Sequence, residues 1–249
     1  MAASAEAVDR RRFWDMIVTT ASGVAVEFTR VGTGPAVILI APNFSAQESG
    51  YLDGLAPRFT AIEVSPRGYR GSSWPSEEDP VRLEHLPEDI ESAADACGVS
   101  TFAVWGYSLS AGMALYVAAT STRVNAVIAG GFPALTPLAY QVTAAYFRNL
   151  WASGPADQDL PFRPATAVGF YEAMAAWLSE ADLSTLPERR IAYYGSKDQV
   201  FGMLGGPESH EELLRNHGFT LHAFDGLDHD ECGARADIVI PTVSEMLTK

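Results

Sequence analysis

Cysteine is nearly absent from this chain of 249 residues: Cys97 and Cys232 are the only two. Two thiols cannot build a disulfide framework, and they suit a reducing compartment. Basic residues are also scarce, with 17 Lys and Arg against 31 Asp and Glu, for a formal net charge of −14. That balance argues against nucleic acid or an anionic membrane as a partner. Long apolar runs are missing. Ala36 to Ala41 is among the longest, and it is far too short to span a bilayer. The N-terminal segment, broken by Arg10, Arg11 and Arg12, has no stretch of signal-peptide type. No repeat of about 20–50 residues is visible, which removes solenoids and propellers. The expectation is a soluble, acidic, cytoplasmic globular protein, long enough for one domain with a sizeable core and an inserted subdomain.

What is present is a rhythm. Short β-rich apolar runs bounded by Gly or Pro alternate with longer helical patterns. Val37–Ile40, Phe59–Val64, Phe102–Trp105, Val124–Ala129, Ile191–Tyr194 and Phe219–Phe224 read as strands. Pro87–Gly98 reads as a helix, with Pro in its first turn, acids early and Gly to stop it. Ala111–Thr120 and Glu208–Asn216 read as two more. Strands alternating with helices predict an α/β fold, a mostly parallel sheet with helices on both faces.

One stretch breaks the rhythm. About sixty residues separate the strand ending at Ala129 from the next, far more than a crossover needs. Helical patterns lie near Leu138–Trp151 and through Val168, Tyr171 and Leu178, with a polar loop from Gly154 to Asp159 between them. Residues 134–186 are therefore expected to form a small helical lid over a site at the C-terminal edge of the sheet. The core is then 1–133 with 187–249. The plainer alternative is an insertion that only packs on the surface.

The sharpest local signal is Gly106-Tyr-Ser-Leu-Ser-Ala-Gly112, between an expected strand and an expected helix. A serine on such a turn has a strained backbone and an exposed hydroxyl, and needs small residues two positions either side. Gly106 and Ser110 meet that need. The same string also fits a helix start capped by serine.

Together with its surroundings, this segment resembles the α/β-hydrolase superfamily. Gly32–Ile40 is similar to that family's third strand and its glycine-rich lead-in. Val64-Ser-Pro-Arg-Gly-Tyr-Arg-Gly-Ser-Ser-Trp-Pro75 resembles its loop of type D-x-R-G-x-G-x-S. Ile191–Val200 resembles the strand and turn that present the acid, and Phe224–His229 the stretch that delivers the histidine. The resemblance covers roughly residues 17–133 and 187–248. It implies the chain order serine, acid, histidine, met here by Ser108, Asp198 and His229.

These residue types suit acyl transfer. His229 would take the proton from Ser108 and return it to the leaving group; Asp198 would fix the imidazole tautomer and stabilise the imidazolium. His85, His210, His217 and His222 are expected to be surface or strand histidines. Asp225, Asp228, Asp230 and Glu231 crowd His229 and, with His222, offer a metal-site alternative. Turns rich in Asp are usually just solvated, so no metal and no cofactor is expected. Cys232 reads as a buried cysteine at a helix start.

The family's oxyanion loop usually begins His-Gly, whereas this chain has Ala41-Pro42-Asn43-Phe44. Pro42 has no N–H, so the backbone donors are expected to be Leu109 with Asn43, or with Phe44 as the alternative. Phe44, Tyr107, Phe147, Trp151 and Tyr171 are expected to contact the substrate. Aspartate at the elbow marks haloalkane dehalogenases and soluble epoxide hydrolases; Ser108 argues against both.

The functional expectation is a serine hydrolase acting on a small apolar or aromatic ester, lactone or related acyl compound. Two alternatives stay open. One is a non-hydrolytic enzyme of this fold with His229 as general base; the other is a ligand-binding module with little turnover. The expected partner is a small molecule, with no nucleic acid and no membrane. Oligomeric state is left open, a homodimer being allowed.

Overall fold

Among the described residues, eight strands form one sheet in the order β1-β2-β4-β3-β5-β6-β7-β8. The computed structural model describes residues 16–41, 50–74, 82–153 and 164–248. The strands are β1 (Met16–Thr19), β2 (Ala25–Val31), β3 (Ala36–Ile40), β4 (Thr60–Ser65), β5 (Phe102–Tyr107), β6 (Val124–Gly130), β7 (Arg189–Gly195) and β8 (Thr220–Phe224). From β4 to β8 all neighbours pair in parallel; β1–β2 and β2–β4 are antiparallel. The helices are α1 (Tyr51–Leu55), α2 (His85–Ala96), α3 (Leu109–Thr120), α4 (Pro137–Ser153), α5 (Pro164–Leu178), α6 (Pro207–Asn216), α7 (His229–Ala234) and α8 (Ala236–Thr248).

The central strands are buried on both faces because helices cover both. Side chains alternate along β5: Phe102 and Val104 enter one core with α2 and α3, while Ala103, Trp105 and Tyr107 enter the other with α1 and α8. β3 is buried throughout, which explains its unbroken Ala-Val-Ile-Leu-Ile composition. The chain runs from β3 outward to β4, then crosses back to place β5 on the other side of β3. The loops after β3 and β5 therefore part at the C-terminal edge, where open α/β sheets leave a crevice.

The expected α/β class and its six strands are present, with ends shifted by one or two residues. The antiparallel pair β1 and β2 was not among the expected strands. β1 alternates between half-buried and exposed, β2 mixes buried with half-buried and exposed positions, and Glu27 and Arg30 interrupt the apolar pattern. α2 starts at His85 rather than Pro87; proline is tolerated there because first-turn N–H groups need no helical partner.

The stretch between β6 and β7 holds α4 and α5, which pack on each other. They are not detached from the body. Ala139, Tyr140, Ala144, Phe170, Tyr171 and Met174 belong to the same buried cluster as α3 and the central strands.

Beneath the loop after β4, Arg67 and Asp89 form a buried ion pair. The Arg67 backbone N–H donates to Asp89 Oδ2 at 2.9 Å, and Nη2 donates to Oδ1 at 2.7 Å. This ties the segment resembling the family's arginine-glycine loop to α2.

Candidate active site

Ser108 lies on the turn from β5 into α3 with φ 53° and ψ −118°, left-handed territory costly for a residue with a side chain. Two neighbours make the turn feasible. A Cβ on Gly106 would lie 1.9 Å from Ser110 O, so no larger residue fits there. Ser110 is fully buried, and its hydroxyl both donates to Tyr107 O and accepts from Tyr107 N–H at 2.9 Å.

Three strand ends bring three side chains together. Ser108 follows β5, Asp198 follows β7 and His229 follows β8. Ser108 Oγ stands 2.9 Å from His229 Nε2, and His229 Nδ1 is 3.0 Å from both Oδ1 and Oδ2 of Asp198. The Asp198 side chain is fully buried, and Oδ1 also accepts the backbone N–H groups of Val200 and Phe201 at 2.9 and 3.0 Å. These donors hold the carboxylate in one orientation. With Nδ1–H donating to Asp198, Nε2 is left to accept the serine proton.

The turn carrying Asp198 is pinned to the one preceding His229. Ser196 N–H donates to Phe224 O and Lys197 N–H to Leu227 O, both at 2.9 Å. Asp228 caps α7: its side chain accepts the Glu231 N–H at 2.9 Å while Glu231 returns a bond to the Asp228 N–H. Asp228 and Glu231 are thereby explained as helix-capping groups. Among the described residues no group of three or more His, Cys, Asp or Glu comes together to hold a metal ion.

The expected substrate contacts divide. Tyr171 and Phe147 line a cavity of about 570 Å³ that opens on Ser108 and His229, with their rings stacked 5.8 Å apart. Tyr107 does not reach it. Strand alternation turns its ring to the opposite face of the sheet, where it is 3% exposed. The Leu109 N–H belongs to the first turn of α3, where helices leave donors unpaired. Asn43 and Phe44 lie outside the described residues, as does the side chain of Trp151.

Phe132, Val142, Thr143, Tyr146, Val200 and Met203 also line the cavity and were not singled out as contacts from the sequence. A signal for two of them was available: Val142 and Tyr146 fall four apart on one face of α4. His210 is a correction, because it is neither on the surface nor in a strand. It is 4% exposed on α6, with its ring nitrogens against Thr136 Oγ1 and Met203 O. Cys232 is fully buried in the first turns of α7, and burial pushes its thiol up to about 12.

A family model described as alpha/beta hydrolase fold matches residues 40–209. No curated protein matches the chain. Among solved structures, a hydrolase from Pseudomonas aeruginosa PA01 superposes with a TM-score of 0.71 at 16% identity, over 97% of this chain and 100% of its own. Epoxide hydrolase VrEH1 from Vigna radiata gives 0.70 at 14% identity, over 96% and 99%. A thermophilic esterase from Thermogutta terrifontis gives 0.69 at 16% identity, over 94% and 98%. At these identities the likeness is one of fold. No helix among the described residues is long and apolar enough to cross a membrane.

Proposed function

The chain belongs to the alpha/beta hydrolase fold family, and from that premise we propose that it is a serine hydrolase acting on a small, apolar or aromatic ester, lactone or related acyl compound. The observation that carries this reading is the 2.9 Å contact from Ser108 Oγ to His229 Nε2, with Asp198 behind the imidazole.

In this reading Ser108 attacks the acyl carbon while its proton passes to His229 Nε2. The imidazolium so formed is held by the Asp198 carboxylate, itself oriented by the Val200 and Phe201 N–H groups. The developing oxyanion is met by the Leu109 N–H, with Asn43 N–H as the second donor. His229 then returns its proton to the leaving alcohol. Water repeats the sequence on the acyl-enzyme, releases the acid and restores the Ser108 hydroxyl. No cofactor enters any step.

The cavity supports the substrate class. Its walls are largely aromatic and aliphatic, from Phe132, Tyr146, Phe147, Tyr171, Val200 and Met203, and its size suits a small molecule. Residues 134–186 serve as the lid in this reading, since α4 and α5 supply much of that wall. The esterase of Thermogutta terrifontis has the activity that this reading adopts. The free thiols Cys97 and Cys232 fit a cytoplasmic setting.

Treatment with a fluorophosphonate probe and mapping of the adduct by mass spectrometry tests the reading. Rapid labelling of Ser108, abolished in Ser108→Ala and His229→Ala, is expected. Folded protein that takes no label would overturn it.

A further inference from the structure

We propose that Tyr107, the residue immediately before the nucleophile, is a positioning residue that sets the backbone and ring plane of His229. This rests on the serine-hydrolase reading for its effect on turnover, though not for its effect on the imidazole itself.

The Tyr107 hydroxyl donates to the backbone carbonyl of His229 at 2.6 Å. Its ring lies 5.2 Å from the imidazole at an interplanar angle of 32°. Two consecutive residues, Tyr107 and Ser108, therefore grip one histidine at opposite ends: the phenol holds its main chain and the serine hydroxyl meets its Nε2. The partners are 121 and 122 positions apart in sequence, so this closed circuit fixes across the fold a distance that no local geometry fixes.

His229 needs such a brace. It opens α7, a helix of six residues, too short to be stable alone. Phenols hold this helix at two carbonyls. Tyr107 takes that of His229, and Tyr51 donates to that of Cys232 at 3.2 Å. Tyr107 is backed in turn by Tyr193, whose ring stacks on it at 5.9 Å and 27°.

The surroundings are shaped for this ring. A Cβ on Gly131 would lie 2.5 Å from Tyr107 Cζ, and one on Gly233 would lie 2.9 Å from Cε1. Two chain segments, one after β6 and one in α7, thus carry glycine where the phenol passes. Burial, with further contributions from Cys232, Asp198 and Tyr51, holds the phenol protonated far above its ordinary range, so the donor persists at any working pH.

The chemical consequence is positional. The hydroxyl fixes where Nε2 stands and the ring face fixes the plane of the imidazole, which matters when the proton moves and not when substrate binds. Tyr107→Phe removes only the hydrogen bond; Tyr107→Leu removes the ring face as well.

The test follows the His229 ring resonances by NMR at one pH in labelled wild type, Tyr107→Phe and Tyr107→Leu, alongside steady-state kinetics and thermal unfolding. Tyr107→Phe is expected to shift the His229 resonances while those of the other four histidines stay in place, and to lower kcat about ten-fold at unchanged KM. Tyr107→Leu is expected to do both more strongly. A Phe variant with wild-type kcat, or one whose His229 resonances match wild type, would overturn the proposal. Wild-type protein that leaves Ser108 unlabelled by fluorophosphonate would count against the hydrolase reading alone, since the ring resonances do not depend on turnover.

Discussion

Gly106 and Ser110 flank the nucleophile by two residues on either side, and a Cβ on the first would stand 1.9 Å from the carbonyl oxygen of the second. The strand cannot turn into α3 and present Ser108 unless both positions stay small. Gly106→Ala must push the helix start away from β5. We expect it to cost about 3 kcal/mol by urea unfolding, at the upper end for overpacking, and to lower activity further by displacing Ser108.

The three residues of the site act as a unit, so their variants should be strongly non-additive. Ser108→Ala and His229→Ala are each expected to lower kcat about 10⁴-fold or more, and the double variant little further. Asp198→Asn should cost about 10⁴-fold with the protein still folded, because an amide there favours the wrong imidazole tautomer. Steady-state assays of the singles and the double on one ester, with circular dichroism as the folding control, check this.

Most of the sheet was legible because its central strands are buried on both faces and so read as unbroken apolar runs. β1 and β2 escaped because an edge pair facing partly to water mixes Glu27 and Arg30 into its pattern. Ser108, Asp198 and His229 were legible for a different reason: each follows directly on a recognisable strand, and strand ends converge. Tyr107 shows where that logic stops. Adjacency to the nucleophile suggests the cavity, yet the two-residue period of a strand sends consecutive side chains to opposite faces. His210 was misjudged because Thr136 and Met203, its partners, come from segments that only the folded chain brings near.

The buried pair Arg67–Asp89 carries a charge on each side, with Asp89 fully enclosed. Removing one partner strands the other. Asp89→Ala is expected to destabilise by about 3–5 kcal/mol, whereas Arg67→Met combined with Asp89→Leu should cost less than the single change. Urea denaturation of the two variants beside wild type measures the difference.

Cys232 sits three residues beyond His229, but its thiol is enclosed and pushed up to about 12. The sign is that of a group kept neutral: at pH 8 only about one molecule in ten thousand carries the thiolate. Iodoacetamide at that pH should therefore leave both Cys232 and the activity intact while half-buried Cys97 reacts first. Peptide mapping of the alkylated protein, with activity followed in parallel, decides it; early loss of activity with label on Cys232 would contradict the enclosure.

Tyr171 brings a phenol to a largely apolar wall. Its ring is held against Phe132, Tyr140 and Phe147 at centroid distances of 6.1, 6.2 and 5.8 Å, it lines the cavity, and it is 2% exposed. Burial, with smaller contributions from Tyr69 and Tyr140, raises its pKa well above the ordinary value, so it remains a donor. A donor at the wall of a largely apolar cavity favours a bound molecule that offers an acceptor. Tyr171→Phe should therefore separate two quantities. Stability should change by no more than about 1 kcal/mol. For aryl esters bearing an ether or carbonyl oxygen away from the scissile bond, kcat/KM should fall about ten-fold, while matched hydrocarbon esters are unaffected. Paired substrates assayed on wild type and variant, with thermal unfolding of both, measure the two changes together. A variant that loses activity equally on both substrates would show that the hydroxyl serves the wall and not the ligand.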